Sequence, residues 1–326
     1  MFQKLFFMAM LFCMANSQEF TNPILDRNSA DPFVLKMGSY YYLTLSENRE
    51  MEIVMYKSPV LTNFRDAESK VIMRAPPGYL DLWASEIHNV DGELWMYFTM
   101  RTENREHRMY AVKAENPNDP MGNWGNPIRM LPDWDNVAID GTILKMDNNR
   151  NYFVWSSGVT GHGSIYISPM ENPFTTSPHV VMIREPTQDW ECQDICTSEG
   201  PFFIYNERKA FMIFSASMTW NPNYCLTQSS IELSRDPMDP SAWEHAPGPV
   251  FQRNDAESVY TTGHASFTVS PDERETWMVY HATESQTDIN GFRTARLEKI
   301  DWNQDGPIFP QAHGYSHPQP VPSGQN

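Results

Sequence analysis

The chain has 326 residues and a formal net charge of −17 at pH 7. Because phosphate backbones and anionic lipid head groups repel a surface of that sign, nucleic acids and membranes are poor candidate partners, whereas neutral ligands such as sugars remain open. Aromatic side chains make up 13% of the residues, far more than a disordered chain carries, so the sequence predicts a large folded core.

The first 17 residues have the pattern of a secretory signal peptide. Lys4 supplies a positive charge, an almost unbroken apolar run extends from Leu5 to Met14, and Ala15-Asn16-Ser17 fits a cleavage site between small residues. A membrane anchor is the alternative, but the apolar run is too short to span a bilayer and polar residues follow it. We therefore predict a secreted, extracellular protein.

The rest of the chain repeats one pattern five times: a polar residue, a short apolar strand, a turn and an aromatic-rich strand. The copies begin, 54 to 65 residues apart, at Asp31, Glu86, Asp140, Glu199 and His264. First strands are predicted near Phe33–Lys36, Ile87–Val90, Thr142–Met146, Phe202–Tyr205 and Ser266–Val269. Second strands are predicted over Tyr40–Leu45, Leu94–Thr99, Asn151–Trp155, Ala210–Phe214 and Thr276–Tyr280. Third strands are predicted over Glu52–Tyr56, Arg108–Val112, Ser164–Ile167, Ser229–Leu233 and Arg293–Leu297.

A fourth strand is readable in most copies, and no comparable stretch shows sustained helical periodicity. The sequence therefore predicts an all-β fold, a five-bladed β-propeller of four-stranded antiparallel blades. A β-sandwich is the alternative, but it does not predict five units of nearly equal length. We expect one propeller domain over residues 18–313 and a Pro-rich tail, residues 314–326, that frays. Three cysteines follow the signal peptide, and they allow one disulfide whose pairing the sequence does not choose: Cys192, Cys196 and Cys225.

The five residues that begin the copies are the candidate functional site. The first strand of each propeller blade lines the central channel, so four carboxylates and one imidazole are expected to converge there. Like charges brought together perturb one another's pKa values, which is typical of functional sites. Taken singly, Asp31 before Pro32 and Asp140 before Gly141 are also typical of turns, and His264 is typical of a structural histidine. Their recurrence at one phase of the repeat favours the functional interpretation.

Cleavage of a glycosidic bond is the chemistry that suits this set. The reaction needs one carboxylic acid to protonate the leaving oxygen and one carboxylate on the opposite face of the sugar. A third carboxylate beside the acid raises the pKa of that acid and keeps it protonated near neutral pH. Phosphate loops, dinucleotide fingerprints and serine nucleophile elbows are absent from the sequence.

Several segments around these residues resemble glycoside hydrolase family 43, and the resemblance extends from Asn22 to about Pro310. The resembling segments are Ser29-Ala30-Asp31-Pro32, Trp83-Ala84-Ser85-Glu86-Ile87-His88, Ala138-Ile139-Asp140-Gly141-Thr142, Ser198-Glu199-Gly200-Pro201, Gly263-His264-Ala265-Ser266-Phe267 and Tyr280-His281-Ala282. The resemblance implies an inverting mechanism with Asp31 as general base and Glu199 as general acid. It implies that Asp140 tunes the pKa of the acid and orients it.

The resemblance also implies the roles of five further residues. Arg293 is expected to bind the sugar, and Trp83, Glu86 and His88 to line the substrate site. His264 is expected beneath the site, where related chains support a calcium ion or an ordered water. No cofactor is required for hydrolysis, so this structural Ca²⁺ in the central channel is the one metal that the resemblance suggests.

Within the family, the sequence is most similar to exo-acting α-L-arabinofuranosidases. The segments Trp83 to His88, Ser215-Ala216-Ser217 and Asn223-Tyr224-Cys225 favour that subgroup. The expected partner is plant cell-wall polysaccharide, arabinan or another arabinose-substituted chain, with no obligate protein partner. The alternatives are β-xylosidase or endo-arabinanase activity on the same fold, a sugar-binding propeller without catalysis, and a receptor-like interaction propeller.

Overall fold

The computed structural model describes residues 18–46, 51–147, 150–287 and 292–325. The predicted signal peptide, residues 1–17, lies outside the described residues. Five antiparallel sheets form a five-bladed β-propeller, which confirms the predicted fold. The helical segments among the described residues are three short 3-10 turns at Asp189–Glu191, Pro240–Ala242 and Asp255–Glu257, and none of them is long enough to cross a membrane.

Each blade is numbered in chain order, and its first strand lies at the channel. Blade 1 contains Ala30–Met37, Tyr40–Ser46, Glu52–Ser58 and Glu68–Arg74. Blade 2 contains Tyr79–Val90, Glu93–Thr102, Arg108–Lys113 and Ile128–Arg129. Blade 3 contains Ile139–Lys145, Asn151–Ser157, Ser164–Asn172 and Val181–Arg184, with a short extra strand at Thr175–Thr176. Blade 4 contains Ser198–Tyr205, Lys209–Ala216, Cys225–Glu232 and Glu244–His245. Blade 5 contains Tyr260–Val269, Thr276–Thr283, Thr294–Trp302 and Pro307–Ile308.

The core lies between the faces of neighbouring blades. Leu144 and Val154 of blade 3 pack with Met212 and Phe214 of blade 4 in one buried cluster. Equivalent clusters fill the spaces between blades 2 and 3 and between blades 5 and 1. Because both faces of a blade are covered, the second strands are nearly continuous runs of apolar residues and do not alternate with polar ones. This burial holds the channel-lining strands in place.

The third strand of blade 4 differs from its prediction. It begins at Cys225, four positions before the predicted Ser229, and pairs with Lys209–Ala216 along its full length. Its additional residues include Thr227 and Gln228, whose polarity conceals the strand in the sequence.

The ends of the chain close the ring together. The Ile24 backbone N–H donates to the Ala295 carbonyl at 2.9 Å, and the Asn22 side chain both donates to and accepts from the Leu297 backbone. The N-terminal segment thus extends blade 5 beside its third strand. Residues Gln319–Pro320 then pair with Glu19–Phe20. The prediction that the tail frays is therefore wrong, because its backbone finds hydrogen-bond partners that the sequence does not reveal.

The cysteines resolve into one pair and one thiol. Cys192 and Cys196 form a disulfide, and Cys225 is free and buried. The disulfide closes a loop of blade 4 just before Glu199.

Candidate active site

A break in strand register occurs at the same place in the first strand of every blade. The breaks lie between residues 30 and 33, 83 and 86, 139 and 142, 199 and 202, and 263 and 266. Three of the predicted site residues lie inside such a bulge and have left-handed backbone angles: Asp31 with φ 51°, Asp140 with φ 55° and His264 with φ 44°. A bulge redirects a side chain that regular pleating would place elsewhere. Here it directs these side chains towards the channel.

These residues share one cavity of about 300 Å³. Its lining residues are Asp31, Ser46, Trp83, Ile139, Asp140, Glu199, Met218, Thr219, Trp220, Tyr224, His264 and Arg293. Six of the eight predicted site residues are therefore brought together. Glu86 and His88 are not among the lining residues.

The Asp31 carboxylate is surrounded by nitrogen atoms. Its Oδ1 atom lies 3.4 Å from Nδ1 of His264, 3.6 Å from Nδ1 of His281 and 3.8 Å from an Arg293 guanidinium nitrogen. Burial alone would raise the pKa of Asp31, but the charges of His264 and Arg293 outweigh it and lower that pKa to about 2. Asp31 is therefore ionised across the physiological pH range.

Glu199 has the opposite character. Burial and the neighbouring charge of Asp140 raise the pKa of Glu199 to about 7, against an ordinary 4.5. The Tyr224 hydroxyl donates a 2.9 Å hydrogen bond to Oε1 of Glu199, which favours the ionised form and opposes part of that rise. With this pKa, about half of the Glu199 side chains hold a proton at pH 7, and they can donate it.

Asp140 and His264 lie in the same cavity as Asp31 and Glu199, and His264 affects the pKa values of both. The Gly200 backbone N–H donates to Oδ2 of Asp140 at 3.2 Å, so this carboxylate is fixed beside the residue that follows Glu199. Burial raises the pKa of Asp140 to about 6, with His264 acting against the rise and Asp31 adding to it. Burial lowers the pKa of His264, but the surrounding carboxylates, Asp31 first, reverse this effect and leave it raised.

Trp83 and Arg293 form part of the cavity wall. The Trp83 ring stacks on His107 with ring centroids 4.0 Å apart, and Nε2 of His107 lies 3.1 Å from Asp81. Arg293 donates to Oγ1 of Thr219 at 3.3 Å. Both side chains are thus held by neighbours and present a flat apolar surface and a cation to the cavity.

Glu86 and His88 bind each other. Nε2 of His88 lies 2.7 Å from Oε2 of Glu86. The His88 ring contacts Phe33 and Phe202, with ring centroids 5.8 and 6.4 Å away, and Phe202 in turn contacts Phe267 at 5.7 Å. The four rings follow the candidate site residues of their first strands by two or three positions, and they form an aromatic layer next to the acid cluster.

Direct metal coordination does not fit the described side chains. Within the described ranges, no group of three or more His, Cys, Asp or Glu side chains has the arrangement of a metal site. Nδ1 of His264 faces Asp31 at 3.4 Å, and the surrounding carboxylates raise the pKa of His264, which favours its protonated form over a form that can bind a metal through nitrogen. A calcium ion held through water stays a prediction, and no step below depends on it.

Sequence reasoning did not assign functional roles to four residues at the site: Ser46, Thr219, Tyr224 and His281. His281 lies on the second strand of blade 5, and Tyr224 immediately precedes the third strand of blade 4, so neither occupies the repeated starting position. The sequence signal that could have pointed to Tyr224 is Gly263, because a glycine in a strand can mark a place where another group packs against the backbone. A Cβ atom on Gly263 would lie 2.0 Å from the Tyr224 ring, so the Gly-His pair of blade 5 marks a ring packed against the backbone.

The comparisons with known proteins identify the family of this chain. The family model for Glycosyl hydrolases family 43 matches residues 20–308. Extracellular exo-alpha-(1->5)-L-arabinofuranosidase of Streptomyces avermitilis is 31% identical over 305 residues, covering 89% of this chain and 63% of the relative. Alpha-L-arabinofuranosidase B of Pyricularia oryzae is 29% identical, covering 87% of this chain and 62% of the relative. The chain thus spans slightly less than two thirds of these two relatives.

A solved structure is similar over almost its entire length. The crystal structure of alpha-L-arabinofuranosidase from Lactobacillus brevis has a TM-score of 0.83 and 29% identity, covering 91% of this chain and 98% of that one. Hydrolysis by members of this family requires no cofactor. The family match over nearly the whole propeller confirms the resemblance read from the acid-containing segments, and the chain belongs to glycosyl hydrolases family 43.

Proposed function

We propose that this chain is an inverting, exo-acting α-L-arabinofuranosidase. The observation that carries the proposal is the wide separation of the pKa values of two carboxyl groups that line one cavity: about 2 for Asp31 and about 7 for Glu199. Pairs of carboxyl groups whose surroundings separate their pKa values are typical of acid and base partners. The two residues come from blades 1 and 4, so they approach the cavity from different sides.

The proposed reaction is a single displacement. Glu199 transfers its proton to the glycosidic oxygen as the bond from that oxygen to the anomeric carbon breaks. A water molecule attacks the anomeric carbon from the opposite face, and Asp31 accepts the proton that this water loses. We predict a carboxyl separation of roughly 6.5–9.5 Å between Asp31 and Glu199, since an inverting site must hold the water between base and sugar.

The other residues support these two. Asp140 keeps the pKa of Glu199 high and, through Gly200, fixes the backbone beside it. Arg293 is proposed to bind sugar hydroxyls and Trp83 to pack against the sugar ring. Sugar contacts from Glu86 and His88 stay a prediction, which a complex with arabinose would test.

The substrate class is proposed from the relatives. Two of them are named as arabinofuranosidases, and one of these is named as extracellular. Together with the predicted signal peptide, this supports a secreted enzyme that removes terminal arabinofuranosyl groups from plant polysaccharide. A weaker relative, Putative beta-xylosidase of Escherichia coli, is 27% identical over 42% of this chain, so xylosides belong in the test.

A panel of nitrophenyl glycosides with purified protein tests the proposal. We expect release from the α-L-arabinofuranoside, little from the β-D-xyloside, and the β-anomer of arabinose as the first product by NMR. Asp31→Asn and Glu199→Gln should each lose about 10²–10⁴-fold in rate, with the loss for Glu199→Gln smaller on the nitrophenyl substrate, whose leaving group needs less protonation. The matched control is Glu232→Gln, on the exposed end of a blade 4 strand. Wild-type turnover by Asp31→Asn, or first release of the α-anomer, would refute the mechanism.

A further inference from the structure

Two imidazole rings lie close to the same oxygen of the Asp31 carboxylate. Nδ1 of His264 lies 3.4 Å and Nδ1 of His281 lies 3.6 Å from Oδ1 of Asp31. His281 is fully buried on the second strand of blade 5, and the reaction described above assigns it no role.

The hydrogen bonds of His281 define its tautomer. The backbone N–H of Asp31 donates to Nδ1 of His281 at 3.2 Å, so that nitrogen must be unprotonated. The ring proton therefore lies on Nε2, which faces Oγ1 of Thr219 at 3.4 Å. The same hydroxyl oxygen accepts a hydrogen bond from Arg293 at 3.3 Å. Burial and the nearby Arg293 hold the pKa of His281 well below its usual range, in agreement with a neutral ring.

The backbone group that His281 binds is the strained part of the base. Asp31 has φ 51°, a conformation that non-glycine residues adopt rarely and retain only when their surroundings hold it. The His281 ring is itself held, because Tyr224 stacks parallel to it with centroids 5.8 Å apart and planes 7° apart. Tyr224 is also the residue that donates to Glu199.

We propose that His281 is a positioning residue for the general base. It accepts the Asp31 backbone N–H and so holds the bulge that aims the Asp31 carboxylate at the attacking water, while Thr219 holds the proton of the ring on Nε2. The inference rests on the proposed function, because it assigns a partner to the base of that reaction.

Two substitutions separate the two nitrogens of the ring. His281→Asn places an acceptor near the position of Nδ1 and removes the contact with Thr219. His281→Gln reaches towards Thr219 and removes the acceptor for Asp31. We expect His281→Gln to lose about 10²-fold in kcat with KM changed by less than about threefold, since a misplacement of about 1 Å has an effect of this size. His281→Asn should retain a kcat at least about tenfold higher than His281→Gln.

The double variant Asp31→Asn/His281→Gln distinguishes positioning from a general structural role. If His281 acts through Asp31, the double variant should be no slower than Asp31→Asn alone, and the two losses should not add. Additive losses, or equal kcat in the Asn and Gln variants, would overturn the proposal. If Asp31→Asn is inactive and folded His281→Gln has wild-type kcat, this inference fails while the proposed function stands. If Asp31→Asn stays active, the proposed function itself fails.

Thr219→Val keeps the test decisive if the buried His281 variants do not fold. Thr219 is partly exposed, and valine keeps the shape of its side chain while removing the hydroxyl group. We expect about a tenfold loss in kcat on methyl α-L-arabinofuranoside as well as on the nitrophenyl substrate, because the base serves both. A wild-type kcat for folded Thr219→Val would overturn the role of Thr219 in holding the ring.

Discussion

Replacing Asp140 by asparagine isolates its electrostatic effect on Glu199. Asparagine tolerates the left-handed backbone that Asp140 adopts at φ 55°, and its side-chain oxygen can still accept the Gly200 N–H. Size, backbone and hydrogen bond are therefore kept, and the negative charge is lost. Because that charge is the second cause, after burial, of the raised pKa of Glu199, the substitution should lower this pKa.

The size of the effect depends on pH in a defined way. A neighbouring like charge changes the pKa of a carboxyl group by about 1, which corresponds to about 1.4 kcal/mol. The pKa of Glu199 would then fall from about 7 to about 6. In the proposed mechanism Glu199 must be protonated to act, so the alkaline limb of kcat/KM should move down by about one pH unit and activity at pH 8 should fall about tenfold. At pH 5 the activities should converge, because Asp140, with its pKa of about 6, is itself protonated in the wild type.

The assay is a kcat/KM profile from pH 4 to pH 9 on methyl α-L-arabinofuranoside, whose poor leaving group makes the rate depend on protonation by Glu199 in the proposed mechanism. Tyr224→Phe is the matched opposite, since it removes the hydrogen bond that favours ionised Glu199 and should move the alkaline limb upward. An unchanged limb in Asp140→Asn, or a shift of both variants in the same direction, would refute the assigned electrostatics.

Burial of Glu199, packing around Gly263 and the pairing of the C-terminal tail give three further predictions. Because the folded-state pKa of Glu199 is raised, its proton stabilises the fold below about pH 4.5, and this contribution is lost as the pH rises through about 7. Glu199→Gln should therefore raise the free energy of unfolding at pH 8 by about 1–3 kcal/mol and change it little at pH 4. Denaturant titration at the two pH values measures both effects. Gly263→Ala places a Cβ atom 2.0 Å from Tyr224 and should lower kcat at least about tenfold, whereas Gly158→Ala, with nothing within 4 Å, should have wild-type kinetics. Deleting residues 319–325, of which Gln319 and Pro320 pair with the first described strand, should lower the thermal midpoint by about 2–4 °C, and an unchanged midpoint would show that the tail contributes nothing.

The repeat in the sequence was sufficient to predict the propeller. Turn residues and aromatic-rich strands recur locally, so each hairpin can be recognised without knowing its neighbours. The number of copies then gave the number of blades. Because the first strand of every blade lies at the channel, position within the repeat also predicted that Asp31, Asp140 and Glu199 would share one cavity, as they do.

The tertiary structure was needed for contacts that the repeat pattern does not encode, whether they join distant or nearby residues. Cys192 pairs with Cys196, the tail pairs with the N-terminal strand, and Glu86 binds His88 away from the cavity lining. Each of these depends on which backbone and side-chain atoms face each other in the folded chain. A repeat pattern in the sequence does not specify which of these atoms come into contact.

The sequence by itself determined which carboxyl groups would meet in the channel, and the tertiary structure decided their pKa values. Asp31 and Glu199 begin equivalent copies of one repeat, yet the pKa of Asp31 falls to about 2 and that of Glu199 rises to about 7. The difference comes from side chains of other blades and other strands: His264 and Arg293 beside Asp31, and Asp140 beside Glu199. A pKa depends on burial and on the distance to neighbouring charges, and those distances exist only in the closed ring.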